Sequence, residues 1–270
     1  MNPLSIAMDD LRRLDLVARG DSGIHRLDPR AKIVTTLCFT VAVVSFDRYR
    51  IGPLIPFFLF PLFLILRGGI PPFLIAAKVL VVIPFLLLVG IFNPLMDRVP
   101  LVTIGGVTLS AGAVSLCSII LKGVLTISAA LTLLATTGMV PIARGLAAMR
   151  VPEPFVTQML FLYRYLFVLT DEARRSATAR SLRSFGKRGE GIGSFAPLLG
   201  TLLLRTFHRA ERIHHAMLSR GFTGRFSPLA PSPLNRRDLL FTGGWIIFFL
   251  AARAVDIPGW LGRLVTGVIP

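Results

Sequence analysis

Five apolar stretches, separated by polar segments, limit how this chain can fold more than any other feature. They cover residues 31–46, 51–66, 73–92, 111–137 and 239–255. A helix needs roughly 17–25 residues to cross the hydrocarbon core of a bilayer, so the first two are marginal. Apolar residues make up 53% of the chain, whereas a soluble domain averages about 45–50%. The sequence therefore predicts an all-α integral membrane protein with about five transmembrane helices, within a range of four to six.

Basic residues are distributed unevenly among the segments between these stretches. The segment from Gly138 to Arg237 holds 16 of the 30 Lys and Arg residues but only five acids. With the N-terminus inside, the outer segments 47–50, 93–110 and 257–270 hold only four basic residues together. Cytoplasmic segments of membrane proteins are enriched in Lys and Arg. We therefore expect a multi-pass protein of the cell (inner) membrane, with its N-terminus and its basic segment in the cytoplasm.

These assignments divide the chain into four parts. We expect a cytoplasmic N-terminal segment (1–30), a membrane domain of four spans (31–137), a cytoplasmic domain of amphipathic helices (138–237), and a last span with its tail (238–270). The first part has no apolar core, so we do not expect a signal peptide. The net charge of +16 follows from the basic cytoplasmic segments, so we expect the lipid bilayer, and not nucleic acid, as a partner.

Glycine and proline residues predict local features within the membrane domain. Residues 68–72 form a Gly-Gly-Ile-Pro-Pro sequence that predicts a tight turn. Segment 99–109, centred on Gly105-Gly106, predicts a short hairpin or a surface-lying turn. Pro53, Pro56 and Pro61 predict kinks in the second apolar stretch.

The basic segment contains two apolar stretches, 155–169 and 194–204, that are short for a span. Arg164 lies at the centre of the first, where an arginine costs roughly 2.5–3.5 kcal/mol on the insertion scale. We therefore interpret both as helices that dip against the membrane domain or lie at its inner face. The alternative is that the pair crosses as a re-entrant hairpin.

Two arginine-rich elements with a helical pattern follow these stretches. The first covers 171–185, with Asp171 and Glu172 suited to a helix N-terminus and Gly186 to a stop. The second covers 204–221 and has apolar or small side chains spaced for one helical face: Phe207, Ala210, Ile213 and Met217. Arginine donates several hydrogen bonds to carboxylates or carbonyls. Two helices that each end in an arginine therefore predict two docking points for a partner protein.

Catalytic, cofactor and metal sites are not predicted. Gly186-Lys187 lacks the upstream glycine and the following Ser or Thr of a phosphate-binding loop. The acids near the apolar stretches lie at their ends and do not form the carboxylate cluster that Mg²⁺ needs. His208, His214 and His215 could suggest a metal site, but adjacent histidines on a helix point in different directions. We interpret them as partner-facing or solvated.

Several motifs resemble those of the transmembrane T component of energy-coupling factor (ECF) transporters, most closely the cobalt-transport subgroup, CbiQ. The resemblance covers about His25 to Gly224 and depends on these segments: His25-Arg26-Leu27-Asp28-Pro29-Arg30-Ala31-Lys32, Tyr163-Arg164-Tyr165, Asp171-Glu172-Ala173, Phe207-His208-Arg209-Ala210-Glu211, and Ala216-Met217-Leu218-Ser219-Arg220-Gly221-Phe222.

The resemblance implies coupling helices that end in two Ala-Arg-Gly signatures, whose arginines dock on a pair of ATPase subunits of the ATP-binding cassette type. The second signature corresponds to Ser219-Arg220-Gly221. Two segments compete for the first: Leu182-Arg183-Ser184 matches by counting along the helix, and Ala179-Arg180-Ser181 matches by residue type. The resemblance also implies a separate substrate-binding membrane subunit that captures Co²⁺ or Ni²⁺, and no enzymatic activity in this chain.

Three alternatives remain open at this point. The chain could be a free-standing secondary transporter or channel, which would move substrate without ATP. It could be a T component that serves a vitamin-specific partner. A membrane-bound lipid or prenyl transferase would need paired acids on one cytoplasmic face, and the sequence does not place them there.

Overall fold

The structure, a computed structural model, is helical apart from one short hairpin over the residues that it describes. Those residues are 12–49, 51–97, 100–104, 107–183, 192–222 and 234–254. The chain divides into two compact units. We call Arg13–Gly145 with Ser232–Pro270 the membrane unit, and Met1–Arg12 with Leu146–Pro231 the two-helix unit. The side of the bilayer on which each lies stays a prediction, as do the four parts drawn from the sequence.

The elements of the membrane unit follow one another with short connections. Residues 12–18 are helical (α1), and the boundary between the units falls after Arg12 in α1 and after Gly145 in α7 (Met139–Ala148). The other elements are α2 (Pro29–Val44), a 3₁₀ helix (Gly52–Phe58), α3 (Leu59–Gly68), α4 (Pro72–Gly90), α5 (Phe92–Met96), β1 (Pro100–Ile104), β2 (Val107–Ser110), α6 (Ala111–Thr137) and α10 (Arg236–Ala254). The two-helix unit contains α8 (Glu153–Arg183) and α9 (Ile192–Leu218).

All five predicted apolar stretches fall on helices, and the predicted class of helical membrane protein is confirmed. Two helical segments among the described residues are long and apolar enough to cross a membrane, Pro72–Leu95 and Ala111–Thr137. The first predicted span is a 16-residue helix, α2. The last is the 19-residue helix α10, with Asp238 in its first turn and Arg253 in its last.

The second predicted span is interrupted, as its prolines predict. It begins as a 3₁₀ helix with Pro56 inside and becomes α-helical only from Leu59. The predicted tight turn is also confirmed, because α3 ends at Gly69 in the left-handed conformation (φ +62°) and α4 begins at Pro72. Glycine adopts this conformation without the steric cost that a side chain adds.

The predicted hairpin is confirmed as an antiparallel pair of strands. Residues Thr103 and Ile104 of β1 pair with Thr108 and Val107 of β2. Gly105-Gly106, the predicted centre of its turn, lies outside the described residues.

Aromatic rings form the core of the membrane unit. Phe39 of α2 lies 4.8 Å from Phe60 of α3 and 5.5 Å from Phe249 of α10, measured between ring centroids. Trp245 of α10 contacts Phe60 edge-on at 5.0 Å. Tilted and edge-on pairs of this kind add about 0.5–1.5 kcal/mol each beyond the area that they bury. Helix α10 is thus packed against the helices of the first two predicted spans.

Two lysines in the apolar helices bind the carbonyl ends of neighbouring helices. Lys32 of α2 is buried and donates from Nζ to the backbone oxygen of Thr136 in α6, at 3.0 Å. Lys122 of α6 donates to the backbone oxygen of Phe46, just after α2, at 2.6 Å. The last carbonyls of a helix have no partner within it and attract cations. These lysines therefore join α2 to α6 at two places, one near the start of α2 and one just after its end.

Candidate functional site: two helices that end in arginine

The first arginine-rich element is part of one long helix, α8, of 31 residues. The prediction that Asp171 and Glu172 begin a separate helix is therefore wrong. Nothing in the sequence breaks the helix there, since Thr170 returns its hydroxyl to the backbone oxygen of Leu166 at 2.6 Å and leaves the backbone ladder intact. At about 1.5 Å per residue, α8 extends about 45 Å.

The second element is also the end of a longer helix. Helix α9 has 27 residues and runs through Pro197, so the apolar stretch 194–204 and the element 204–221 are continuous. The predicted division between them is wrong. Both arginine-rich segments therefore form the ends of long helices. Each predicted docking arginine lies at the end of a helix about 40 Å long or longer.

The packed face of α9 differs in part from the predicted one. Ile213 and Met217 are half-buried as predicted, but Phe207 is 61% exposed and Ala210 is also exposed. The face that packs includes Arg209 instead, together with three further residues, Leu202, Thr206 and Ile213, spaced three or four apart. Apolar periodicity alone misplaces this face because it treats Arg209 as a solvated residue.

A charge cluster joins α8 to α9 and explains why Arg209 packs. Glu172 accepts a hydrogen bond from Nη2 of Arg209 at 2.8 Å, and Nη1 of Arg205 lies 3.8 Å from its other oxygen. The Glu172 side chain is only 21% exposed.

A second ion pair lies one residue earlier on α8. Asp171 pairs with Arg12 at 3.5 Å, and the Arg12 guanidinium lies over the ring of Phe167. The acids of α8 thus hold basic residues from two other segments of the same unit.

The end of α9 has a well-defined geometry. Gly221 has φ +79°, and its N–H donates to the Leu218 oxygen at 2.9 Å while the N–H of Phe222 donates to the Met217 oxygen at 3.0 Å. This is the hydrogen-bond pattern of a Schellman motif, in which a left-handed glycine ends the helix. Arg220 is the last residue before that glycine and is exposed, as is Ser219, whose hydroxyl bonds to the His215 oxygen.

The end of α8 presents its residues differently. Arg183 is exposed, and Leu182 beside it is 77% exposed. Arg180 is half-buried, whereas its neighbours Ala179 and Ser181 are exposed. Ser184 and the predicted stop at Gly186 lie outside the described residues.

The two helix ends share one property. Among the residues that the structure describes, no ion-pair or hydrogen-bond partner faces the guanidinium of Arg183 or that of Arg220.

The remaining candidate residues show local contacts. His208 lies 3.6 Å from Glu211 on the same exposed face of α9, and the rings of His214 and His215 are 6.2 Å apart. Over the described ranges, no three His, Cys, Asp or Glu side chains are grouped closely enough to hold a metal.

The sequence did not identify the pair of Glu172 and Arg209. Equal spacing could have pointed to this pair. Glu172 precedes Arg183 by 11 positions (183 − 172 = 11), and Arg209 precedes Arg220 by 11 positions (220 − 209 = 11). It also did not identify the buried cluster of Asp28, Lys32 and Asp238. Two of these lie in the segment that carries the resemblance at the start of the first span.

Comparisons with known proteins match most of the chain. A family model described as CbiQ, cobalt transport protein, matches residues 20–229. The energy-coupling factor transporter transmembrane protein EcfT of Listeria innocua is 28% identical over 221 residues, which are 76% of this chain and 82% of the relative. EcfT of Ruminiclostridium cellulolyticum is 26% identical over 248 residues, 85% of this chain and 91% of the relative. The cobalt transport protein CbiQ of Rhodobacter capsulatus is 30% identical over 99 residues, 36% of this chain and 41% of the relative.

Proposed function

Because the chain belongs to the CbiQ family of cobalt transport proteins, we propose that it is the energy-coupling transmembrane subunit of an ATP-driven importer. It transmits the motion of two ATPase subunits to a separate membrane subunit that binds the substrate. The substrate is Co²⁺ or Ni²⁺: the family description and the cobalt transport protein among the relatives support cobalt, and nickel is the alternative that the sequence resemblance implies. ATP is hydrolysed by the partners, and this chain acts as a permease component in the cell (inner) membrane.

The observation that carries this proposal is that two long helices of one unit each end in an exposed arginine, Arg183 on α8 and Arg220 on α9. A guanidinium presents five N–H donors in a planar fork that fits carboxylates and carbonyls. A helix transmits a displacement at one end along its whole length because its backbone is internally hydrogen-bonded. Two such helices can therefore transmit a movement of two similar ATPase subunits.

The Schellman motif supports Arg220 as one docking residue. A left-handed Gly221 ends the last turn directly after Arg220, so Arg220 lies at the tip of the helix. The side chain of Arg220 is then free to enter a groove, with Ser219 and Gly221 small enough to allow a close approach.

The exposure of the α8 end supports Arg183 over Arg180 as the other docking residue. Arg183 and Leu182 are both exposed, and Leu182 adds an apolar contact beside the charge. Arg180 is half-buried, and part of its surface is already covered within the protein. In this assignment the first signature is Leu182-Arg183-Ser184, with Ala179, Arg180 and Ser181 one turn behind it.

The membrane unit offers the surface for the bilayer and for the substrate-binding subunit. Its helix α4 exposes large apolar side chains around much of its circumference, including Phe73, Val81 and Phe85. Such a surface is stable in lipid or against another apolar helix but not in water. We assign the bilayer and the partner subunit to this surface, and the two-helix unit to the cytoplasm.

The proposal is tested with Arg183→Ala and Arg220→Ala, alone and together, in the intact chain co-expressed with its ATPase and substrate-binding subunits. Arg175→Ala on α8 and Arg212→Ala on α9 are matched controls, since both remove an exposed arginine away from the helix ends. We expect the double variant to insert in the membrane, to lose co-purification with the ATPase and to lose uptake of radioactive cobalt or nickel. The controls keep both.

Arg180→Ala separates the two assignments of the first signature. Uptake that survives Arg180→Ala and fails in Arg183→Ala supports Arg183, and the reverse result supports Arg180. ATP-driven uptake by the double variant would contradict the coupling role. Transport by the purified chain alone in liposomes, without ATP, would show instead a free-standing transporter or channel.

A further inference from the structure

Arg183 and Arg220 lie the same number of residues from the charge cluster that joins α8 to α9 in the described part of the chain. Glu172 lies 11 residues before Arg183 on α8, and Arg209 lies 11 residues before Arg220 on α9. Eleven residues make about three turns and rise about 16 Å. Arg183 therefore projects from nearly the same side of α8 as Glu172, within about 20° at 100° per residue, and Arg220 lies two residues past Leu218, the last residue of α9.

Arg180 does not share this relationship. It lies eight residues after Glu172, which is about 12 Å and about 80° away in direction. Of the two candidates on α8, only Arg183 lies the same number of residues from the contact as Arg220 does. The position of the Glu172 contact is an argument for Arg183 that is independent of exposure.

The contact is also suited to fix the register of the two helices. Glu172 is largely buried, and two arginines one turn apart on α9, Arg205 and Arg209, share its two oxygens. Sliding α8 along α9 by one turn would move Glu172 away from at least one of them. Since a charged group in a partly buried site loses more on separation than an exposed pair does, the cluster favours one register.

We infer that Glu172 is a positioning residue that sets the register of α8 on α9, so that Arg183 and Arg220 reach equally far from their shared contact. It acts through Arg209 and touches no partner subunit itself. This inference rests on the proposed function, because equal reach matters only if both arginines engage similar partners at the same time. Two similar ATPase subunits moving together are such partners.

The register is measured directly with two spin labels, at Ala179 and Ala216. Both residues are exposed and each lies seven residues beyond its member of the contact. The labels are placed on cysteines in the full chain, with Cys38 and Cys117 replaced by serine, and the protein is held in lipid nanodiscs without ATPase. Pulsed electron paramagnetic resonance then gives the distribution of distances between the labels.

We expect one narrow distance in the parent and a shifted or broadened distribution in Glu172→Gln and in Arg209→Gln. The charge swap Glu172→Arg with Arg209→Glu restores the narrow distribution, since opposite charges again face each other across the contact and Arg205 lies one turn from the exchanged carboxylate. Glu211→Gln is the control, because Glu211 pairs only locally with His208 on α9. Glu172→Gln changes α8 and Arg209→Gln changes α9, so one variant still tests the inference if the other fails to fold.

Capture of the ATPase by the same variants separates this inference from the proposed function. A distance distribution in Glu172→Gln and Arg209→Gln that matches the Glu211→Gln control overturns the positioning role. A changed distribution that the charge swap restores supports the positioning role, even if ATPase capture does not follow it. If those variants capture the ATPase as well as the parent does, equal reach is not needed for docking; if the parent itself captures no ATPase, the proposed function is contradicted and the register remains.

Discussion

Asp238 accepts a hydrogen bond from the backbone N–H of Asp28 at 2.9 Å, across 210 positions of the sequence. The other carboxylate oxygen of Asp238 accepts from the N–H of Asn235 at 2.9 Å, and the Asp28 carboxylate accepts from the N–H of Arg30 at 2.8 Å. These acids satisfy the free N–H groups at the starts of α2 and α10. Lys32, which donates to the end of α6, lies in the field of both carboxylates. Three helix ends thus meet at one buried polar cluster.

Lys32→Met should destabilise the membrane unit. The change removes the hydrogen bond from Nζ to the buried Thr136 oxygen and takes a cation from the vicinity of Asp28 and Asp238, and a buried group left without its hydrogen bond costs about 1–3 kcal/mol. The measurement is thermal unfolding of the purified protein in detergent, followed by loss of the monodisperse peak in size-exclusion chromatography.

Asp21→Asn is the control for this change. Asp21 pairs with Arg26 at the protein surface, at 2.7 Å, and both side chains are mostly exposed. The unfolding temperature of the Asp21→Asn variant should match that of the parent. An unchanged temperature for Lys32→Met would show that the cluster does not stabilise the fold.

Gly112→Ala should destabilise the start of α6. A Cβ at this position would overlap the backbone oxygen of Asn93 and the Cα of Pro94, which cannot move as a flexible side chain could. Overpacking of this kind costs about 1–3 kcal/mol. Gly243→Ala in α10 is the matched control, since a Cβ there would meet no other atom within 4 Å. An unfolding temperature that falls no further for Gly112→Ala than for Gly243→Ala would contradict the close approach of α5 and α6.

The spans and turns of the membrane unit could be predicted because each depends on local sequence. Apolar stretches of sufficient length, prolines at 53 and 56 and the glycines before Pro71 act on the backbone at their own positions. The family also followed from short motifs near His25 and Arg220, and the match to residues 20–229 confirms it.

The long helices could not be divided correctly from the sequence because polarity changes along them without a change of backbone. Thr170, Asp171 and Glu172 resemble a helix start, yet they lie in the middle of α8 because its backbone ladder continues and partners from elsewhere take up the two acids. Arg209 packs for the same reason, since Glu172 lies opposite it. Pairings between distant residues carry no periodic signal within either helix.

The stability of the membrane unit should fall as the pH is lowered below about 6.5, the ordinary pKa of histidine. Burial lowers the pKa of His25, and this effect outweighs its hydrogen bond to the Val17 oxygen. The ring donates from Nε2 to that oxygen at 3.0 Å, and its Nδ1 lies 2.7 Å from the hydroxyl of Ser22, which can donate to it when the ring is neutral. Below the ordinary pKa the unfolded chain binds a proton that the folded chain resists, and stability is lost as pH falls toward the lowered pKa.

His25→Gln removes this titration and keeps a donor for Val17. The unfolding temperature of the variant should vary less between about pH 7 and pH 5 than that of the parent, because only the parent titrates at this position in that range. The exposed His208→Gln should follow the parent. A parent and a His25→Gln variant with the same pH dependence would show that His25 does not control it.

Gly221→Ala should weaken docking at the α9 end while leaving the rest of the helix intact. An alanine at φ +79° costs about 1–2 kcal/mol, so the Schellman motif opens and Arg220 loses its fixed direction. Gly221→Asn should be milder, because asparagine tolerates the left-handed conformation better than alanine does. Gly200→Ala, within α9 and with open space around it, is the control. Co-purification with the ATPase should therefore fall most for Gly221→Ala, less for Gly221→Asn and not at all for Gly200→Ala. Equal capture by all three would mean that the direction of Arg220 does not depend on the glycine that follows it.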